Sequence, residues 1–154
     1  MKKLLISILG LILCIKSAEA FDQKKINRIF QKNYQKYFEL DDYNAEGKAL
    51  VYSDKFHQRK TASSIKHIKT GFTAASVKLP LMSVVTVTNK RTGKSISVLI
   101  NDRGPFKTNA ILDLSKSAAK ALALHSSDNV VVEFDLQKTL GIIEDTKNLK
   151  KFGI

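Results

Sequence analysis

The sequence contains few of the residues that define special classes of protein. Its 154 residues include one Cys, two Pro and no Trp. A disulfide-rich domain needs several cysteines, and collagen-like or low-complexity chains need far more proline or glycine, so these classes are excluded. With 44% hydrophobic and 26% charged residues, the composition is typical of one compact domain held together by its core.

The first twenty residues have the pattern of a secretory signal peptide. Lys2 and Lys3 precede an apolar run over residues 4–15, and residues 18–20 read Ala-Glu-Ala, with small residues at the positions read for cleavage. The run is shorter than the roughly 20 residues that span a bilayer. We therefore expect cleavage after Ala20, no stable membrane insertion afterwards, and an exported protein of the periplasm or cell envelope.

The single cysteine does not have the surroundings of a lipid-attachment site. Leu13 precedes Cys14 and Ile15 follows it, whereas bacterial lipoprotein signals carry small residues there. The mature protein is therefore not predicted to be lipid-anchored, and its only thiol is removed with the signal peptide.

Neither a metal nor any other cofactor is indicated. His57, His67 and His125 lack metal-binding spacing such as H-E-x-x-H. The formal charge of +12 favours a polyanionic neighbour: nucleic acid, anionic lipid or cell-wall polymer. Export disfavours nucleic acid, and the basic residues are scattered without the aromatic motif of an RNA reader, so no nucleic-acid partner is expected. A solvated basic surface without a specific partner is an equally open reading.

Hydrophobic periodicity divides the chain into a helix, a β-rich domain and a tail. Apolar residues over 22–40 recur mostly at spacings of three and four, which predicts an amphipathic helix with Asp22 at its N-cap. We expect its apolar stripe to pack on the following domain, in preference to a membrane surface. A polar break follows at 41–47, and the basic segment 137–154 is expected to lie on the surface or to be partly disordered.

The central region has the pattern of many short strands. Segments rich in Val, Ile and Thr predict strands over 49–52, 83–89, 95–100 and 129–136, and residues 114–124 have helical spacing. Asp113 or Ser115 is available to cap this helix. Short strands with one inserted helix favour a small closed barrel, because closure removes exposed strand edges.

Residues 100–106, Ile-Asn-Asp-Arg-Gly-Pro-Phe, contain the strongest candidate for chemistry. Asp102 ends an apolar strand and is followed closely by Gly104 and Pro105, which turn the chain, and carboxylates beside such turns often line sites. On composition alone, however, an Asx turn in which Asp102 binds its own backbone is the better reading.

Five stretches in fixed order resemble the rare lipoprotein A (RlpA) family, over about residues 47–136. They are ALVYSDKFHQRKTASS, FTAAS-x-x-LP, VTVTN, SVLINDRGPF and ILDLSKSAAKAL. The resemblance implies a mainly β fold: a six-stranded double-psi β-barrel with a short inserted helix, preceded here by the N-terminal amphipathic helix. It also implies an endolytic lytic transglycosylase that acts on peptidoglycan glycan strands and leaves 1,6-anhydromuramic ends.

The resemblance assigns the chemistry to Asp102 as the single acid/base. Such an enzyme protonates the glycosidic oxygen, and the sugar's own 6-hydroxyl then closes on the anomeric carbon. Because adjacent strand residues point to opposite faces, Arg103 can lie away from Asp102. The predicted substrate-binding residues around it are Asn101, Arg103, His57, Thr61 and Ser63. Asp113 matches the family's Asp-Leu-Ser motif, but we expect it to cap a helix.

Other positions depart from the family pattern. Ser64-Ile65 stands where active members have Gly-Glu, and Ser76 stands where they have His. His57 or His67 is a possible substitute for the missing imidazole. The alternative reading is therefore a catalytically degenerate glycan-binding protein of the cell envelope. No oligomeric state is predicted.

Several further departures replace small or basic residues. Ser53, Gln58 and Met82 stand at positions expected to be Gly, and Ala110 stands where an Arg is expected. Because backbone close to a sugar favours Gly, bulk at these positions is expected to narrow the cleft.

Overall fold

The structure is a computed structural model, and it describes residues 23–106 and 108–154. The predictions of a signal peptide at 1–20 and of Asp22 as a helix cap concern residues outside these ranges. None of the helices in the described part is long and apolar enough to cross a membrane.

Six strands form a closed barrel in the order β1-β5-β2-β4-β3-β6. The strands are β1 Asn44–Val51, β2 Thr73–Ala75, β3 Val84–Asn89, β4 Ser95–Asp102, β5 Leu112–Leu114 and β6 Asn129–Phe134. The helices are α1 Gln23–Glu39, α2 Lys116–Ala121 and α3 Leu136–Glu144, with short 3-10 helices at Asp54–Phe56 and Thr146–Phe152. This architecture confirms the predicted mainly β barrel with an inserted helix and an N-terminal helix.

The order of strands in the barrel differs strongly from their order in the chain. β1 pairs in parallel with β5, and β2 pairs in parallel with β4. The remaining pairs are antiparallel, including the predicted β3–β4 hairpin, in which Val85 faces Val98. The three-residue strands β2 and β5 were not predicted, because three residues are too few to show a period. They lie between the longer strands and bring distant parts of the chain together.

The N-terminal helix packs on the barrel through the apolar stripe identified in the sequence. Ile26, Phe30 and Tyr37 are buried, and the ring of Tyr37 stacks on Phe134 with the centroids 6.3 Å apart. The Tyr37 hydroxyl donates a hydrogen bond of 2.6 Å to the carbonyl of Leu81. The helix therefore packs its apolar face on the barrel, as expected.

The C-terminal segment differs from the expected surface tail. Residues after 136 form α3 and a 3-10 helix, and Ile142, Leu149 and Phe152 are buried. Asp135 caps α3 by accepting a 2.8 Å hydrogen bond from Lys138 N. The basic composition of the segment led to the expectation of a surface tail, but its apolar residues form part of the core.

The polar break is also shorter than expected, since β1 begins at Asn44 and pairs with β6. Position 47 in this paired stretch favours Gly, because a Cβ there would come within 2.8 Å of the Ile111 side chain. Strand pairing thus overrides the turn-like composition of residues 44–47.

Candidate active site

A β-bulge near the end of β4 sets the direction of Asp102. Ala74 pairs with Ile100, but the next residue, Ala75, pairs with Asp102, so Asn101 is an extra residue in β4. Bulges are known to re-aim side chains beside functional sites. Here the extra residue places the Asp102 side chain on the same face of the sheet as Ala75.

Asp113 belongs to the same face because of its two strand partners. It pairs with Leu50 on one side and with Ala75 on the other. Directly paired residues present their side chains on one face, so Leu50, Asp113, Ala75 and Asp102 form a row across four strands, here called the carboxylate row. Two strand spacings put the Cα atoms of the two aspartates about 10 Å apart, and only the methyl group of Ala75 lies between them in the row.

The carboxylate of Asp102 accepts three hydrogen bonds. The Tyr52 hydroxyl donates to Oδ2 at 2.8 Å, and the backbone N–H groups of Ala62 and Arg103 donate to Oδ1 at 2.9 and 2.8 Å. The Arg103 contact is the local turn that composition favoured, but the other two donors come from distant loops. These are the hydrogen bonds of an ionised carboxylate, which only accepts.

Asp113 has the opposite environment. Its Oδ1 atom is buried without a hydrogen-bond partner. Burial, reinforced by the negative charge of Asp102, raises the pKa of Asp113 to about 6. The expectation that Asp113 caps a helix is wrong: Ser115 is the N-cap of α2, and its Oγ accepts from Ala118 N at 3.3 Å. Asp113 is therefore free of a capping role.

An aromatic pair lies beside Asp102. The rings of Tyr52 and His67 are 4.3 Å apart between centroids, and the Phe56 ring meets Tyr52 edge-on with the centroids 5.8 Å apart. Burial and the nearby Asp102 raise the pKa of Tyr52, so its hydroxyl keeps the proton that it donates. Burial lowers the pKa of His67, and the imidazole is therefore neutral at physiological pH, with Nδ1 buried and unpartnered.

Arg103 points away from the carboxylate row. Its Nη1 donates to the carbonyls of Ser76 and Leu79 at 3.0 and 2.8 Å. The prediction that Arg103 can lie away from Asp102 is confirmed by this geometry. Its guanidinium holds the turn at 76–79 in place, and binding of a sugar by Arg103 stays a prediction.

Three other predicted substrate-binding residues are buried near Asp102. The Thr61 hydroxyl donates to the Ile65 carbonyl at 2.7 Å and lies 3.0 Å from the Ser63 hydroxyl. Ser63 N donates to the Asn101 carbonyl at 3.0 Å. Asn101 itself is 1% exposed, and both polar atoms of its side-chain amide are buried without a hydrogen-bond partner. That these three residues bind a sugar stays a prediction, and their burial is at odds with direct contact.

The remaining predicted ligand, His57, directly follows the 3-10 helix Asp54–Phe56 and is half-buried. Its Nδ1 accepts a hydrogen bond of 3.3 Å from Lys69 N. Of the two histidines considered as substitutes for the missing imidazole, His67 is therefore the one packed against the Tyr52–Asp102 pair.

Three positions at which the resemblance predicts Gly have the positive φ that favours glycine. Gln58, Ser64 and Met82 have φ values of 66°, 71° and 69°, a region that L-residues other than Asn and Asp rarely adopt. Ser53, by contrast, has an ordinary φ of −68°. Met82 is completely buried in the core, so its bulk is accommodated inside the protein.

Within the part of the chain that the structure describes, no group of three or more His, Cys, Asp or Glu side chains is arranged to hold a metal ion. The candidate site consists of the carboxylate row and the neighbouring side chains of Tyr52 and His67. Tyr52 and the position of Asp113 were missed in the sequence because the two short strands that bring them together carry no periodic signal.

A family model described as lytic transglycolase matches residues 44–134, which span the whole barrel. The chain belongs to the lytic transglycolase family. This finding confirms the resemblance seen in the motifs.

Similar proteins named endolytic peptidoglycan transglycosylase RlpA occur in several bacteria. The protein of Neisseria meningitidis is 37% identical over 108 residues, covering 70% of this chain and 45% of that protein. The protein of Pasteurella multocida is 36% identical over 151 residues, covering 82% and 51%, and that of Pseudomonas aeruginosa is 45% identical over 89 residues, covering 56% and 26%. The chain thus spans about half the length, or less, of these relatives.

Among solved structures, the Streptomyces papain inhibitor is similar, with a TM-score of 0.46 and 21% identity over 60% of this chain and 94% of that one.

Proposed function

We propose that this protein is an exported lytic transglycosylase that cleaves the glycan strands of peptidoglycan and leaves 1,6-anhydromuramic ends. The observation that carries the proposal is the carboxylate row, in which two aspartates in opposite environments share one face of the barrel. Pairs of acidic groups whose environments separate their protonation states are typical of glycosidic bond cleavage. Membership of the lytic transglycolase family supports the same reaction class.

The two aspartates divide the work in this proposal. Asp113, whose pKa is raised to about 6, keeps its proton to a higher pH than an ordinary aspartate and is the general acid. The Asp102 carboxylate is held by three hydrogen-bond donors and stabilises the positive charge that develops on the sugar ring. The proton-donating role therefore moves from Asp102, to which the resemblance assigned it, to Asp113 on the other side of Ala75 in the row.

The proposed reaction balances without water. Asp113 donates its proton to the bridging oxygen as the bond from that oxygen to the anomeric carbon breaks, and the departing sugar leaves with a free hydroxyl. The 6-hydroxyl oxygen of the remaining muramic acid bonds to the anomeric carbon. Its proton passes to Asp113, which is then ready for another cycle. Tyr52 and the Ala62 amide hold Asp102 in place throughout.

A second candidate is a glycan-binding protein without catalysis on the same barrel. It is favoured by Ile65, which stands where active family members have Glu and is buried in the core. Ser76, in place of the expected His, uses its hydroxyl to accept from Leu79 N at 3.2 Å. Neither position therefore supplies a carboxylate or an imidazole to the site.

The proposal also includes the place of action. Residues 1–20 act as a cleaved signal peptide in it, and residues 21–154 act in the periplasm or cell envelope on peptidoglycan. Sequencing the N-terminus of the protein recovered from its native envelope tests this part, with Phe21 as the expected first residue.

Digestion of purified glycan strands decides between the two candidates. Wild type, Asp102→Asn, Asp113→Asn and the exposed-surface control Glu133→Gln are incubated with strands, and products are examined by mass spectrometry for 1,6-anhydromuramic ends. Catalysis predicts such ends from wild type and the control, and their loss in both aspartate variants. Strand binding by wild type without any anhydro product would favour the non-catalytic candidate.

A further inference from the structure

The exposed apolar side chains of the barrel are concentrated around the carboxylate row. In the described part of the chain, six large hydrophobic residues are exposed, and two of them, Tyr34 and Phe38, lie on α1. Three of the other four adjoin the row: Leu50 is a member of it, Val77 follows Ser76, whose N–H donates to the Asp102 carbonyl, and Phe106 follows the Asp102 turn. The fourth, Val51, follows Leu50 in β1 and points to the opposite face of the strand.

Phe106 is the most exposed of these residues. The residue is 74% exposed, against 52% for Val77 and 37% for Leu50. Single exposed apolar residues are ordinary, but this exposed phenyl ring follows the turn at Asp102 and offers a flat apolar surface close to the candidate catalytic groups. Covering that face would remove apolar area from water, which is favourable.

The backbone of Gly104 sets the position of the ring. Gly104 has φ of +135°, and a Cβ built on it would lie 3.9 Å from two ring atoms of Phe106 and 4.0 Å from the Ala75 Cβ. The ring edge and the Ala75 methyl group, which lies between the two aspartates, are therefore within about 8 Å of one another. The aromatic face thus stands beside the centre of the row rather than on a remote surface.

We propose that Phe106 is a substrate-binding residue whose phenyl face stacks against the apolar C–H face of a sugar ring next to the one held at the carboxylate row. This inference rests on the proposed function for the identity of the ligand, a glycan strand. A pyranose ring is suited to the position because its flat C–H face matches an aromatic ring while its hydroxyls remain in water. A strand that spans the row would then run from Leu50 towards Phe106.

Binding measurements test the ring without requiring turnover. The Asp113→Asn protein is combined with Phe106→Ala, Phe106→Leu or Phe106→Trp, and affinity for purified, peptide-free glycan strands is measured by co-sedimentation. Ala removes the side chain, Leu keeps apolar bulk without a flat face, and Trp keeps a flat face. Phe38→Ala on α1 is the matched control for loss of an exposed phenyl ring. Circular dichroism verifies that each variant is folded.

We expect Phe106→Ala and Phe106→Leu to weaken strand binding about tenfold, and Phe106→Trp and Phe38→Ala to bind as the parent does. In the otherwise wild-type enzyme, Phe106→Ala should raise KM by a similar factor and leave kcat unchanged. Unchanged strand affinity in Phe106→Ala, or full affinity in Phe106→Leu, overturns the stacking role.

The two proposals fail in distinguishable ways. Strand binding that depends on Phe106, without any anhydro product from wild type, supports the stacking role and contradicts catalysis. Production of anhydro ends at an unchanged KM in Phe106→Ala contradicts the stacking role and supports catalysis.

Discussion

Two aspartates on this barrel, the buried Asp128 and the half-buried Asp113, have opposite surroundings. Asp128, next to the β3–β4 hairpin, accepts from Arg91 Nε at 2.8 Å, from Asn89 Nδ2 at 2.9 Å and from His125 N at 2.9 Å. These partners, Arg91 above all, hold the pKa of Asp128 well below its usual range. Asp113 in the carboxylate row has a buried oxygen without a partner and a pKa raised to about 6.

The contrast separates a structural carboxylate from a functional one. The cluster of Asp128, Arg91 and Asn89 ties the hairpin to the loop before β6, and its polar groups satisfy one another. Asp113 is instead kept where its ionised form is unfavourable, which does not help the folded state at neutral pH. Perturbed groups of this kind are concentrated at functional sites.

The two regions also differ in how often a non-glycine residue has a positive φ. The hairpin places Gly93 at its left-handed position, with φ of 70° and open space around it, and Ala123, whose carbonyl accepts from Arg91, has φ of 49°. The loops around the site place Gln58, Ser64 and Met82 at φ values of 66° to 71°. Backbone strain is therefore more frequent in the site region, and the turn of the hairpin avoids it by using Gly.

The largest expected difference between the two regions is in activity. Asp113→Asn should lower the rate of anhydro-end formation on the order of 10²- to 10⁴-fold, because it removes the general acid. Asp128→Asn should leave the rate per folded molecule unchanged. The wild-type rate should fall as the pH rises above about 6, since Asp113 loses its proton. Initial rates between pH 4 and 9 check this, and equal rates for the two variants would contradict the comparison.

The next effect is the loss of stability on removing the hairpin carboxylate. Asp128→Asn should lower Tm at pH 7, because Arg91 and the amide donors lose their charged acceptor. The lowered folded pKa of Asp128 means that its contribution is present above the unfolded pKa of about 4 and is lost as the pH falls through the folded value. Thermal melts at pH 7 and pH 2 should therefore show a difference between wild type and variant that shrinks in acid.

Asp113 should affect stability with the opposite sign. Its folded pKa of about 6 lies above the unfolded value of about 4. The folded state therefore loses stability as the pH rises between these two values. For a partly exposed group the loss is no more than about 2 kcal/mol. Asp113→Asn should remove this dependence and be more stable than wild type at pH 7. Urea unfolding at pH 4 and 7 measures it, and a parallel pH dependence in both proteins would exclude the effect.

The smallest expected effects concern the strained backbone. Gln58 is exposed with φ of 66°, so Gln58→Gly should raise the free energy of unfolding by about 0.5–1 kcal/mol. Gly93→Ala is the reciprocal control and should lower it by about 1 kcal/mol, because it introduces a Cβ at φ of 70°. Urea unfolding of both variants is sufficient, and destabilisation by Gln58→Gly would show that the site loop is unstrained there.

The longer elements could be predicted because each carries its own pattern. The β3–β4 hairpin has alternating Val and Thr residues, and α1 has an apolar stripe that ends in Tyr37 on the barrel. Asp102 was identifiable from its motif at a strand end. The bulge at Asn101 could not be predicted, because it is a difference in register between β4 and β2 that neither strand shows alone.

The amino-acid sequence by itself determined the family, the barrel class and Asp102, because these depend on local periodicity and on residues that are neighbours in the chain. Only the tertiary structure decided that Asp113 shares a face of the barrel with Asp102 and that Tyr52 donates a hydrogen bond to Asp102. It also decided that the exposed ring of Phe106 lies near Ala75, between the two aspartates. These relations depend on two three-residue strands placed between longer ones. The protonation of Asp113 follows from the same placement, since burial and a neighbouring charge are properties of packing rather than of sequence.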